Sequence, residues 1–164
     1  MEKKLHLGSG GLHIDGYINT DLDDFPGVDL VLDATSIPYP FDDEVLDEIY
    51  SSHMLEHIRF SFVTPMVKEW YRILKPQGRV VTEIPDMVET CKRFIEGKDT
   101  EKWMKTIYGN VEERESQEHK WGYTYATLTA LFNTVGFITH EEESHDYHKI
   151  NFDIPTLRVV AIKP

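Results

Sequence analysis

Two short stretches of this 164-residue chain carry residue types that could hold a nucleoside. Leu5-His6-Leu7-Gly8-Ser9-Gly10-Gly11 reads as a strand running straight into a glycine-rich turn. Glycine at Gly8, Gly10 and Gly11 permits positive φ and lets a ligand approach the backbone with no Cβ in the way. Tyr17-Ile18-Asn19-Thr20-Asp21 reads as a second strand ending in a carboxylate. At the tip of a neighbouring parallel strand, that carboxylate is placed to accept from the two hydroxyls of a ribose. A Gly-x-Gly-Gly turn alone occurs in many tight turns; the acidic strand tip is what makes a nucleoside site the working expectation.

A second constellation, His53-Met54-Leu55-Glu56-His57, spells H-x-x-E-H, the inverted zinc-peptidase pattern. On a helix the two histidines would lie one turn apart and could share a metal, with Glu56 as base. The sequence offers no evident third ligand, and the pattern follows a predicted sheet strand. The expectation is therefore that His53, Glu56 and His57 hold no metal and that Glu56 and His57 pack at the start of a helix. Zinc hydrolysis stays as a remote alternative.

The elements that must position these residues are legible in part. Strand patterns recur at Lys4–Leu7, Tyr17–Thr20, Val28–Leu32, Glu48–Ser51 and Arg79–Ile84, then at Phe137–Glu142 and Leu157–Ile162. Most are short apolar runs closed by Gly, Pro or Asp, as in strands buried on both faces of a parallel sheet. Thr64 and Pro65 open a helix whose stripe is Met66, Val67, Trp70, Ile73 and Leu74, stopped by Lys75-Pro76-Gln77-Gly78. Thr124 caps a second, with Tyr125, Leu128, Leu131, Phe132 and Val135 inward and Gly136 at its end. Strands alternating with helices predict a single doubly wound α/β domain with its ligand at the carboxyl ends of the central strands. Residues 87–123 differ. Cys91–Ile95 and Trp103–Tyr108 suggest helices, but charge and aromatics outweigh periodicity, so the segment reads as a lid or as a peripheral helical pair.

The formal net charge of −12 provides no basic groove for a phosphate backbone, which argues against nucleic acid as acceptor or partner and against anionic membranes. Glu112-Glu113-Arg114-Glu115 and Glu141-Glu142-Glu143 read as solvated runs. Cys91 is the only cysteine, so no intramolecular disulfide and no cysteine-based zinc cluster forms. With no apolar leader and no apolar span, a cytoplasmic protein is expected.

Taken in order, Leu5-His6-Leu7-Gly8-Ser9-Gly10, Asn19-Thr20-Asp21-Leu22, Asp33-Ala34 with Ile37-Pro38-Tyr39-Pro40-Phe41, Ser52 through Ile58, Arg72 through Gly78, and Trp121-Gly122-Tyr123-Thr124 leading to Val135-Gly136-Phe137 resemble the class I S-adenosylmethionine-dependent methyltransferases. The resemblance is to small bacterial-type members with a shortened first helix, and it implies a Rossmann-like, mostly parallel sheet with an antiparallel last strand. It implies S-adenosylmethionine as cofactor, with Gly8, Ser9, Gly10 and Gly11 at its methionine end and Asp21 on its ribose. Leu22 would lie against the adenine, Asp33 would accept from the adenine amino group beside Ala34, and Ser52 and His53 would line the transferring methyl. Two features depart from the family. His6 stands where an acid usually precedes the first glycine, and Gly8 to Asp21 spans roughly a dozen residues where dinucleotide folds use about 20. The intervening helix would have little more than one turn.

The acceptor is expected to be a small molecule, because Ser52-His53-Met54 replaces the Asn/Asp-Pro-Pro-aromatic pattern of enzymes that methylate amino groups of nucleic acid and some proteins. His53 and His119 are the candidates to take its proton, and Trp121 would wall its pocket. Cover for it would come from 87–123, from a second subunit in a homodimer, or not at all, since no segment precedes the first strand. A nicotinamide dehydrogenase would need the fuller glycine fingerprint. A methyltransferase-like module that binds cofactor or a partner without turnover is the alternative from another class.

Overall fold

In the computed structural model the described residues are 2–112, 115–142 and 154–164. Period-two alternation sorts the strands into two faces. Leu5 and Leu7 of β1 (Lys4–Leu7), Ile49 of β4 (Leu46–Ser52), Val80 and Ile84 of β5 (Leu74–Pro85), and Leu157, Val159 and Ala161 of β7 (Thr156–Ile162) join one buried cluster. Tyr50, Val81 and Val160 form another. With β2 (Tyr17–Asp21), β3 (Leu30–Val31) and β6 (Ile138–Glu142) they make a seven-stranded sheet in the order β3-β2-β1-β4-β5-β7-β6. The first five strands run parallel and β7 lies antiparallel to both neighbours. The order reverses between β1 and β4, so a crevice opens beyond their carboxyl ends.

Helices α1 (Phe60–Ile73) and α4 (Tyr125–Val135) cover the first face. Val63, Met66, Val67, Trp70 and Ile73 are buried from one, Leu128, Leu131 and Phe132 from the other, and the Trp70 and Phe132 rings lie 6.3 Å apart. A reciprocal cap between Thr124 and Thr127 starts α4 as expected, and Gly136, at φ 113°, ends it. No described helix residue joins the other cluster. Paired polar groups fill that face instead: Tyr50 donates to Glu83 Oε2 at 2.7 Å, Arg158 Nη1 to Glu83 Oε1 at 2.9 Å, and Arg79 Nε to Glu48 at 2.6 Å.

Several local expectations are corrected. α1 begins at Phe60, with Pro65 inside it and no cap from Thr64. The extra turn is held by burial of Val63 and by Phe60 stacking on Trp121 at 4.6 Å, contacts that a local cap signal does not contain. The strand expected over Val28–Leu32 shrinks to Leu30–Val31, because at the sheet edge it meets only Thr20 and Asp21. No helix forms between β1 and β2. Gly8, Gly10, Gly11 and Gly16 take φ of 69°, 58°, 83° and 84°, outside right-handed helix. Lys75–Gly78 lies within β5, since Leu74 already pairs with Leu46.

Beyond β5 the chain forms α2 (Met87–Ile95), capped by the Asp86 carboxylate, and α3 (Thr100–Tyr108), which pack on one another. Of the acidic runs, Glu113, Arg114 and Glu143 lie outside the described residues. Among the described residues no helix is long and apolar enough to cross a membrane.

Candidate functional site

A cleft of about 1480 Å³ opens at the carboxyl ends of β1, β2 and β4 and is lined on one side by residues from 99–110 and 116–120. Its floor is the glycine turn. Ser9 N–H donates to the Thr20 carbonyl at 2.9 Å and Gly10 N–H to Asp21 Oδ2 at 2.7 Å, which fixes the turn against β2. A Cβ on Gly8 would meet Met54 Cγ at 2.5 Å, so the β4 loop requires glycine there. A Cβ on Gly10 would meet nothing within 4 Å, leaving its backbone open. The Ser9 hydroxyl is buried and has no hydrogen-bond partner among the described residues.

Two carboxylates stand beside this floor. Asp21 Oδ1 accepts from Asp23 N–H at 3.1 Å while Oδ2 holds Gly10. Asp33 accepts from Thr35 N–H and Oγ1, both at 2.8 Å, and from Ser36 Oγ at 3.0 Å. Partial burial alone would raise the Asp33 pKa; these bonds outweigh it and hold the carboxyl below its usual value. Leu22, 58% exposed, and Ala34, whose carbonyl accepts from Tyr39, also line the cleft.

Of the site residues read from the sequence, Gly8, Ser9, Gly10, Asp21, Leu22, Asp33, Ala34, Ser52, His53 and His119 all line this cleft. Gly11 is not among the lining residues; a Cβ there would meet Phe25 at 3.1 Å. Trp121 does not wall the cleft either, because its ring stacks on Phe60. His6 points to the opposite face, 5.2 Å from the Tyr50 ring, with Nδ1 3.0 Å from Asn19 Oδ1.

The residues around Glu56 depart most from the sequence reading. Leu55–His57 forms a short 3-10 turn, so His53 and His57 are not a one-turn pair on an α-helix. His53, at φ 49°, donates from Nδ1 to Glu56 Oε1 at 3.2 Å. Residues beyond α3 return to this turn: Lys120 and Trp121 N–H donate to the Glu56 carbonyl at 2.7 and 3.1 Å. That return places His119 against His57, ring centroids 4.7 Å apart. Ligand atoms of Glu56, His57 and His119 lie within 4.8 Å of one another, so the third ligand missing from the sequence reading is supplied by tertiary structure. A Cβ on Gly109 would meet the Gln117 carbonyl at 1.9 Å, so the return requires glycine there. Burial works to raise the Glu56 pKa, but the His53 hydrogen bond and the nearby histidines hold it below the usual range. Burial lowers the pKa of His119.

Residues 18–82 match the family model described as a methyltransferase domain. Among solved structures, a SAM-dependent methyltransferase from Archaeoglobus fulgidus is similar at 15% identity and a TM-score of 0.69, over 99% of this chain and 86% of that one. A methyltransferase from Methanosarcina mazei is similar at 18% identity and a TM-score of 0.62, over 99% and 92%. The Haloferax volcanii complex of the Trm112 methyltransferase activator with a methyltransferase gives 16% identity and 0.63, over 99% and 83%. No curated protein matches the sequence. The matched segment spans β2 to β5, and the whole chain shares the fold of these solved methyltransferase structures.

Proposed function

We propose that this chain is an S-adenosylmethionine-dependent methyltransferase whose acceptor is a small molecule, held in the cleft that His53, Arg59 and Lys120 line. One observation carries the reading. The open Gly10 backbone, the unpartnered Ser9 hydroxyl and the Asp21 and Asp33 carboxylates converge on one cleft. That set fits a nucleoside bearing an amino-acid tail: Asp21 accepts from the ribose hydroxyls, Asp33 from the adenine amino group, and Ser9 donates toward the tail. The net charge of −12 disfavours a polyanionic acceptor, while Arg59 and Lys120 suit a small one with an anionic group.

When bound, S-adenosylmethionine would supply an electrophilic methyl group for the acceptor lone pair, the S–C electron pair staying with sulfur. The chain's part is alignment, which can contribute about 7–11 kcal/mol to such a transfer. In this reading His53 takes the acceptor's proton. Its Nδ1–H is held by Glu56, which leaves Nε2 as the basic nitrogen.

Calorimetry with S-adenosylhomocysteine should show one site per chain, and label from methyl-labelled S-adenosylmethionine should enter the dialysable fraction of a cell extract. Label retained on macromolecules would overturn the small-molecule acceptor. Binding with no transfer to any fraction would leave a cofactor-binding module.

A further inference from the structure

His57 and His119 each place Nδ1 against a backbone carbonyl, at 3.1 Å from Glu118 O and 2.9 Å from Thr106 O. A carbonyl only accepts, so both Nδ1 atoms carry the proton, and in the neutral rings both Nε2 atoms present lone pairs. Beside them the Glu56 carboxylate is 2% exposed, with Oε1 receiving the His53 bond and Oε2 buried without a partner among the described residues. Each of the three residues thus offers an acceptor, in a cluster whose ligand atoms lie within 4.8 Å of one another, and a buried unpaired carboxylate oxygen is costly unless a cation satisfies it.

We propose that Glu56, His57 and His119 form a binding site for a divalent transition-metal ion of the zinc type. Two imidazoles and one carboxylate form a donor set that favours zinc over magnesium. Three protein ligands leave coordination positions open, as in metal sites that bind substrate. The surrounding bonds are those that outer partners make in such sites: backbone carbonyls fix both histidine tautomers and His53 orients the carboxylate. All three ligands line the cleft. Metal binding stands independently of the methyl-transfer reading.

The test uses the full chain without a histidine tag, stripped by chelator, dialysed and titrated with zinc chloride, with magnesium chloride in parallel. Expected is one zinc per chain, a rise in melting temperature on binding, and no saturable magnesium. Glu56→Gln and His119→Gln should each weaken zinc about 100-fold or more, while His13→Ala, which removes the exposed His13–Asp15 pair, should leave it unchanged. Cobalt substitution should give a visible absorption band that both variants lose. If Glu56→Gln melts too early to titrate, His119→Gln carries the test, since that ring is only partly buried. No stoichiometric zinc in the parent protein, or equal affinity in the parent and a folded His119→Gln, overturns the site. S-adenosylhomocysteine is titrated into the same samples. Cofactor bound without zinc removes the metal alone, and zinc bound without cofactor removes the methyl-transfer reading alone.

Discussion

Gly10 N–H donates to Asp21 Oδ2 at 2.7 Å, so one carboxylate both fixes the glycine turn and faces the cleft. The turn contains no helix to hold it, and its remaining ties to β2 are backbone bonds such as Ser9 N–H to Thr20 O. In the proposed cofactor site Asp21 would therefore act twice, through the floor and through the ribose. Asp21→Ala is expected to cost about 1–3 kcal/mol of S-adenosylhomocysteine affinity by calorimetry. Asp21→Asn should lose less, because the amide oxygen still accepts. Equal affinity for the parent and the alanine variant would remove Asp21 from the site.

Glu69, 7% exposed on α1, accepts from Arg72 Nε at 2.9 Å, from Arg72 Nη2 at 2.5 Å and from Tyr39 N–H at 2.7 Å. The Arg72 hydrogen bonds come first in holding its carboxyl below the usual glutamate range; burial opposes them and the Tyr39 bond assists. A depressed folded pKa contributes stability that is complete above the unfolded value and is lost as pH falls through the folded one. Urea unfolding should show Glu69→Gln less stable by about 1–3 kcal/mol at neutral pH. The gap should close as pH drops below about 4.5. A gap that persists unchanged in acid would show that the ion pair contributes nothing.

The sheet was legible because its strands carry their own evidence. Leu5 and Leu7, Ile49, and Val80 and Ile84 alternate with residues of the other face, and Gly or Asp closes most runs. The α4 boundaries were legible for the same reason, since Thr124 and Gly136 act locally. What failed was decided at a distance. Phe60 extends α1 because Trp121 stacks on it, and Leu30–Val31 is short because only β2 pairs with it. The Glu56 cluster was the least legible. His119 is far from His57 in the chain, and what joins them is Lys120 and Trp121 donating to one carbonyl, which no spacing rule encodes.

The pair α2 and α3 is proposed as a lid. Ile95 is 82% exposed, and Val88, Tyr108 and Val111 are also exposed, so little apolar burial ties the pair to the sheet. Its described backbone ties are few: Asp86 and Gly109 make isolated bridges to Tyr123 and Glu118, and the Tyr108 carbonyl accepts from His119 N–H. Segments with few buried contacts open at low free-energy cost. Yet Asp99, Glu101, Lys102 and Lys105 line the cleft, so closure there would cover an acceptor. Hydrogen exchange should therefore find fast amides over 87–112 in the free protein and with S-adenosylhomocysteine alone, slowing only when acceptor is added as well. Gly109→Ala, which drives a Cβ into the Gln117 carbonyl, should abolish that slowing while cofactor affinity stays within about twofold, since the Asp21 side of the cleft is untouched. If amides over 87–112 are already slow in the free protein, the pair is fixed structure and cover for the acceptor comes from a second subunit.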